Sequence, residues 1–81
     1  MAKRSNRYSY APELVALGEA IRAERMEIGL SQEALALNAE IDRSYVGGIE
    51  RGEHNLALVN ILKLARCLGM SGEQLMRRAG L

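Results

Sequence analysis

Eighty-one residues allow one small domain with one core, and a single cysteine, Cys67, excludes an intramolecular disulfide framework. Hydrophobic residues make up 48% and charged residues 26%, an ordinary globular balance, and no apolar run is long enough to span a membrane. The net charge is only +1, but it is unevenly placed: Lys3, Arg4 and Arg7 fall in the first ten residues, which hold no acid, so all ten acids lie beyond them.

In chain order, residues 1–11 read as a basic, tyrosine-containing flexible arm suited to an anionic surface. They lack the apolar stretch of a signal peptide, so a cytoplasmic location is expected. Residues 12–81 read as the folded domain. Pro12 and acidic Glu13 suit the first turn of a helix, and Leu14, Leu17, Ile21 and Ile28 mark one apolar face up to Gly29. Ser31 is a helix-capping residue opening a short second helix through Leu35 and Ala36 to about Ala39. Asp42 caps a third helix from Arg43, with Val46 and Ile49 turned inward and Gly52 as its stop.

That third helix carries Gly47 and Gly48 in its interior, each costing roughly 1 kcal/mol against alanine. Bare positions there are expected to let the helix surface approach a binding partner or the second helix closely. After a polar connector, Leu58, Ile61, Leu62, Ala65 and Leu68 mark a fourth helix closed by Gly69. Ser71 with Gln74 forms a capping-box pattern for a fifth helix ending near Ala79. No stretch alternates with period two, so the expected class is all-α: a compact bundle of five short helices.

Two short helices joined this tightly cross steeply, so the third can project its N-terminal half. Arg43 can donate two hydrogen bonds to a guanine edge, Ser44 can donate or accept, and Tyr45 can meet phosphate or a thymine methyl. The run from Ser31 to Met70, SQEALALNAEIDRSYVGGIERGEHNLALVNILKLARCLGM, resembles the lambda-repressor-like (Xre/Cro) helix-turn-helix family of bacterial and phage regulators. Within it, DRSYVGGIERG with Asn55 and Leu56 looks most like the controller proteins of restriction–modification systems.

The resemblance implies a five-helix, lambda-repressor-like DNA-binding domain and a role for each matched position. Arg43, Ser44 and Tyr45 would read bases; Gln32, Arg51 and Asn55 would hold phosphates; Arg25 and Glu50 would bridge the first and third helices. It implies double-stranded DNA as partner and a homodimer on an inverted repeat.

The sequence departs from the family pattern at Glu40, where glycine is usual in the turn, and at Leu56 and Ala57, where a proline and a hydroxyl cap are frequent. Leu56, Leu62 and Leu75 are expected at the dimer interface, with Leu81 as a further surplus apolar residue. Acids cancel the bases along the third helix and its loop, which leaves a second reading open: an antitoxin-like or adaptor protein-interaction module. A repressor fragment lacking its oligomerisation domain is a third.

Cys67 reads as a small core residue, His54 as a surface or phosphate contact, and Met70 and Met76 as gap fillers. One histidine and one cysteine make no zinc set, and no carboxylate pair or glycine-rich phosphate loop is present. No enzyme, metal, cofactor or membrane partner is expected, and so short a chain leaves no room for a small-molecule effector domain.

Overall fold

The capping residues set where the helices begin. The computed structural model describes residues 8–81. Five α-helices follow in order: α1 (Pro12–Glu27), α2 (Gln32–Ala39), α3 (Arg43–Glu50), α4 (Leu58–Cys67) and α5 (Gly72–Arg78). Ser31 accepts from the backbone N–H of Ala34 at 3.0 Å, and Asp42 from that of Ser44 at 3.1 Å. Ser71 and Gln74 complete a reciprocal capping box. Ala57, in front of α4, supplies no side-chain cap, as its methyl dictates.

The core draws a large, fully buried side chain from every helix: Ile21, Leu35, Val46, Leu64 and Leu75. Each contributes about 1.5–3 kcal/mol of burial. α1 packs on α3 and α5, α2 on α3 and α4, and α4 on α5. Gly18 permits the tightest of these approaches. A Cβ there would lie 2.3 Å from the carbonyl oxygen of Ile49 and 2.7 Å from that of Glu50. The last turn of α3 therefore rests directly on the backbone of α1.

In the turn between α2 and α3, Glu40 takes the left-handed conformation (φ 58°, ψ 46°). The turn thus keeps a glycine-type geometry, and the non-glycine residue costs it on the order of 1 kcal/mol. Its backbone N–H bonds back to α2, and Ile41 N–H reaches the Ala36 carbonyl at 2.9 Å, so the entry into α3 is fixed.

Four apolar expectations change. Leu75 lies at the centre of the core, because α5 inserts this side between α1 and α4; it has no surface left for a second subunit. Leu56 is likewise a core residue, closing the interior beneath the connector. Leu58 opens α4 facing outward, 67% exposed, and Leu64 takes the inward place. Ile28, past the last turn of α1, is half exposed. Leu62 is half-buried, with its Cδ2 only 2.6 Å from where a Cβ on Gly72 would stand. Cys67, Met70 and Met76 pack against the core as partly buried residues.

Candidate nucleic-acid interface

The orientation of α3 is set by a buried ion pair. Arg25 of α1 donates from Nε to Glu50 Oε2 at 2.7 Å and from Nη2 to Oε1 at 3.1 Å. Its Nη1 donates to the Leu30 carbonyl at 2.8 Å, and Gln32 Nε2 adds a third bond to Glu50, on Oε1, at 2.9 Å. The Glu50 side chain is 2% exposed and that of Arg25 12%. The hydrogen bond with Glu50 raises the pKa of Arg25 above its ordinary value, against the opposing effect of burial. No buried side-chain nitrogen or oxygen among the described residues lacks a partner. Three elements (α1, the start of α2 and the end of α3) thus meet on one carboxylate.

From this frame α3 presents its first turn outward. Arg43 and Ser44 are exposed. Arg43 Nε lies 3.7 Å from Glu33 Oε2, a loose pair between two exposed side chains. Ser44 Oγ donates to Asp42 Oδ2, the same oxygen that caps the helix. Those two bonds hold the Asp42 carboxyl below its usual pKa. Ser44 therefore offers neighbours lone pairs, its proton being committed to Asp42.

Tyr45 is half-buried and stacks on His54, with ring centroids 4.4 Å apart and planes 34° off parallel. Gly48 makes room for this: a Cβ there would sit 2.4 Å from His54 Nε2 and 3.1 Å from Glu53 Oε1. A Cβ on Gly47 would meet Arg51 Nη1 at 3.3 Å and Gln32 Oε1 at 3.7 Å. The two glycines are buried beneath side chains of their own chain. Of the two expected approaches, Gly47 makes the one to the second helix, at Gln32, and the bare face expected for DNA is covered by Arg51, His54 and Glu53.

The loop after α3 is also fastened to the start of the chain. Tyr10 N–H donates to the Gly52 carbonyl at 2.7 Å, Ser9 Oγ to the Glu53 carbonyl at 2.8 Å, and Tyr10 Oη to Glu53 Oε2 at 3.3 Å. The last residues of the expected arm are thus tied down. Lys3, Arg4 and Arg7 lie outside the described residues. Glu53 also takes Arg51 Nε at 2.6 Å and Nη2 at 3.4 Å. This pairing lowers the pKa of Glu53 and raises that of Arg51. Asn55 is exposed beside it.

The structure thus gathers Arg43, Ser44, Tyr45, Arg51 and Asn55 along α3 and its loop. Gln32 differs from the expectation: its side-chain amide is engaged with Glu50, which leaves the first-turn backbone of α2 as its means of meeting an anion. Sequence reasoning missed Glu53 as the hub of the loop, the seat of His54 on Tyr45, and Gly18. No local pattern in the sequence announces any of these. It took Leu58 for part of the inward stripe and passed over Val59, 67% and 63% exposed, although two adjacent apolar residues at a helix start cannot both face one core.

Residues 21–75 match the helix-turn-helix family. The chain is 52% identical to the restriction–modification controller protein C.AhdI from Aeromonas hydrophila, whose crystal structure superposes with a TM-score of 0.76 over 78% of this chain and 96% of that one. It is 40% identical over 65 residues to the control protein C.SmaI of Serratia marcescens, covering 80% of this chain and 77% of that protein. A hypothetical transcription factor of Neisseria meningitidis is 45% identical over 56 residues, 69% of this chain; the match spans about half (53%) of that longer protein.

Proposed function

The chain belongs to the restriction–modification controller proteins of the helix-turn-helix family and is a DNA-binding transcription regulator; from that premise we propose that it reads an inverted repeat as a dimer, through the first turn of α3. The observation that carries this is the pairing of an exposed Arg43–Ser44 turn with the buried Arg25–Glu50–Gln32 frame behind it. A reading helix discriminates bases only if its angle to the groove is fixed, and the frame fixes it.

Eight helical residues span about 12 Å, a length the major groove accepts. Arg43 is the guanine reader, donating to O6 and N7. Ser44, its proton held by Asp42, accepts from adenine N6 or cytosine N4. Tyr45, stacked on His54, flanks them, and Arg51, Asn55 and the first N–H groups of α2 meet phosphates.

The second subunit docks on α4, where Leu58 and Val59 are exposed beside half-buried Leu62. This replaces Leu56 and Leu75 at the interface. A two-fold pair places two third helices about one helical turn, ~34 Å, apart. Under the controller reading, the protein acts on its own gene and that of a nuclease.

The test is fluorescence anisotropy on a duplex from the region upstream of its own gene. Arg43→Ala weakens binding to the specific duplex by about 1–3 kcal/mol and leaves a scrambled duplex nearly unchanged. Equal losses on both duplexes would remove Arg43 from base reading. Binding insensitive to salt would favour a protein partner instead.

A further inference from the structure

We propose that Glu53 is an internal stand-in for a DNA phosphate: it holds Arg51 in the free protein, so that Arg51 can touch DNA only by exchanging one anion for another. The inference rests on the DNA-binding reading above and deepens it.

The geometry is that of a guanidinium on an oxyanion. Arg51 presents Nε and Nη2 to the two carboxylate oxygens of Glu53, at 2.6 and 3.4 Å, the fork a phosphate would also receive. Glu53 takes a further donor, Tyr10 Oη at 3.3 Å, and its backbone carbonyl takes Ser9 Oγ at 2.8 Å. The carboxylate therefore takes Tyr10 Oη as well as Arg51, and the backbone beneath it is held by Ser9. The Arg51 side chain is 62% exposed and that of Glu53 29%, so the arginine is the member free to move.

The same arrangement recurs more loosely at Arg43, which lies 3.7 Å from Glu33. Each of the two described arginines on this face thus faces a carboxylate of its own chain. Any duplex must displace Glu53 from Arg51. A phosphate in the geometry of the cognate complex does so fully, whereas a randomly placed duplex gains less. The exchange lowers affinity for DNA in general and reduces the number of counterions released on binding.

The test is a double-mutant cycle read by anisotropy on a scrambled duplex between 50 and 200 mM salt. Glu53→Gln frees Arg51 for one more phosphate. The slope of log K against log salt then steepens by about 0.9, equivalent to an extra loss of about threefold over that salt range. At the low-salt end Glu53→Gln binds at least about threefold more tightly than the parent chain. In the Arg51→Gln background both changes vanish.

Equal gains with and without Arg51 overturn the proposal, because removal of a nearby negative charge then accounts for everything. An unchanged slope also overturns it. The Arg51 Nε–H resonance of the free protein supplies a reading independent of DNA: it shifts and exchanges faster in Glu53→Gln if the pair exists, and an unmoved resonance rejects it. If the parent chain binds no duplex at all while that resonance does move, the pair stands as geometry, and both the DNA-binding reading and the phosphate exchange are lost.

Discussion

Two arginine–glutamate pairs around α3, one buried behind the helix and one on the loop after it, behave as different objects. Arg25 and Glu50 are buried, joined by Gln32, and span three helical elements. Arg51 and Glu53 are two residues apart on an open loop, with the arginine largely in solvent. The chemistry is the same. In the interior, removing one partner strands a charge in a medium that cannot solvate it, so the buried pair behaves as fixed framework. At the surface, water or another anion can replace the partner, so the loop pair is exchangeable. A reading helix needs both: an axis that does not turn and contacts that can be handed to DNA.

The largest way to break this contrast is Glu50→Ala. It leaves the Arg25 guanidinium and the Gln32 amide facing an empty, dry site, and the expected loss is about 3–5 kcal/mol in urea or thermal unfolding. A domain of this length holds only about 4–12 kcal/mol in total, so the variant should be largely unfolded near its working temperature. A loss below about 1 kcal/mol would mean that the buried pair is no more rigid than the surface one.

A smaller effect sharpens the contrast from the glycines. Gly47→Ala gains up to about 1 kcal/mol of helix propensity, because the neighbour it meets, at 3.3 Å, is the movable tip of Arg51. Gly48→Ala should show no such gain, because its methyl displaces His54 from Tyr45. Equal stabilisation by the two alanines would show that His54 yields as readily as Arg51.

The smallest effect lies in acid. Asp42 and Glu53 have folded pKa values below their ordinary range, through hydrogen bonds from Ser44 and Arg51 respectively. Their contribution is therefore complete above the ordinary carboxylate pKa of about 4 and is lost as pH falls through the lower folded values. Urea midpoints followed from pH 6 downward should decline in that acid window, and Glu53→Gln should flatten part of the decline. Superimposable profiles would remove the loop pair from the stability of the domain.

The sequence made the helix boundaries legible because they are written in local chemistry. Ser31, Asp42 and Ser71 can satisfy the first N–H groups of a helix, and Gly29, Gly52 and Gly69 adopt positive φ after its end. The Arg25–Glu50 pair was accessible through family likeness. What stayed hidden depends on which element covers which face. Period 3.6 assigns Leu75 to an apolar stripe but does not say that α1 and α4 close over it. Nor does any spacing say that His54 lies on Tyr45 above Gly48, which depends on how the loop folds back, or that Glu53 beside Arg51 also takes Tyr10, 43 residues earlier in the chain.

The chain has no tryptophan and three tyrosines. Tyr45 stacks on His54, Tyr10 reaches Glu53, and Tyr8 lines a shallow groove with Asn55. All three tyrosines therefore border the loop between α3 and α4. Ultraviolet emission from the native chain originates entirely at this border, which makes the protein its own optical probe for ligand arrival, with no dye attached.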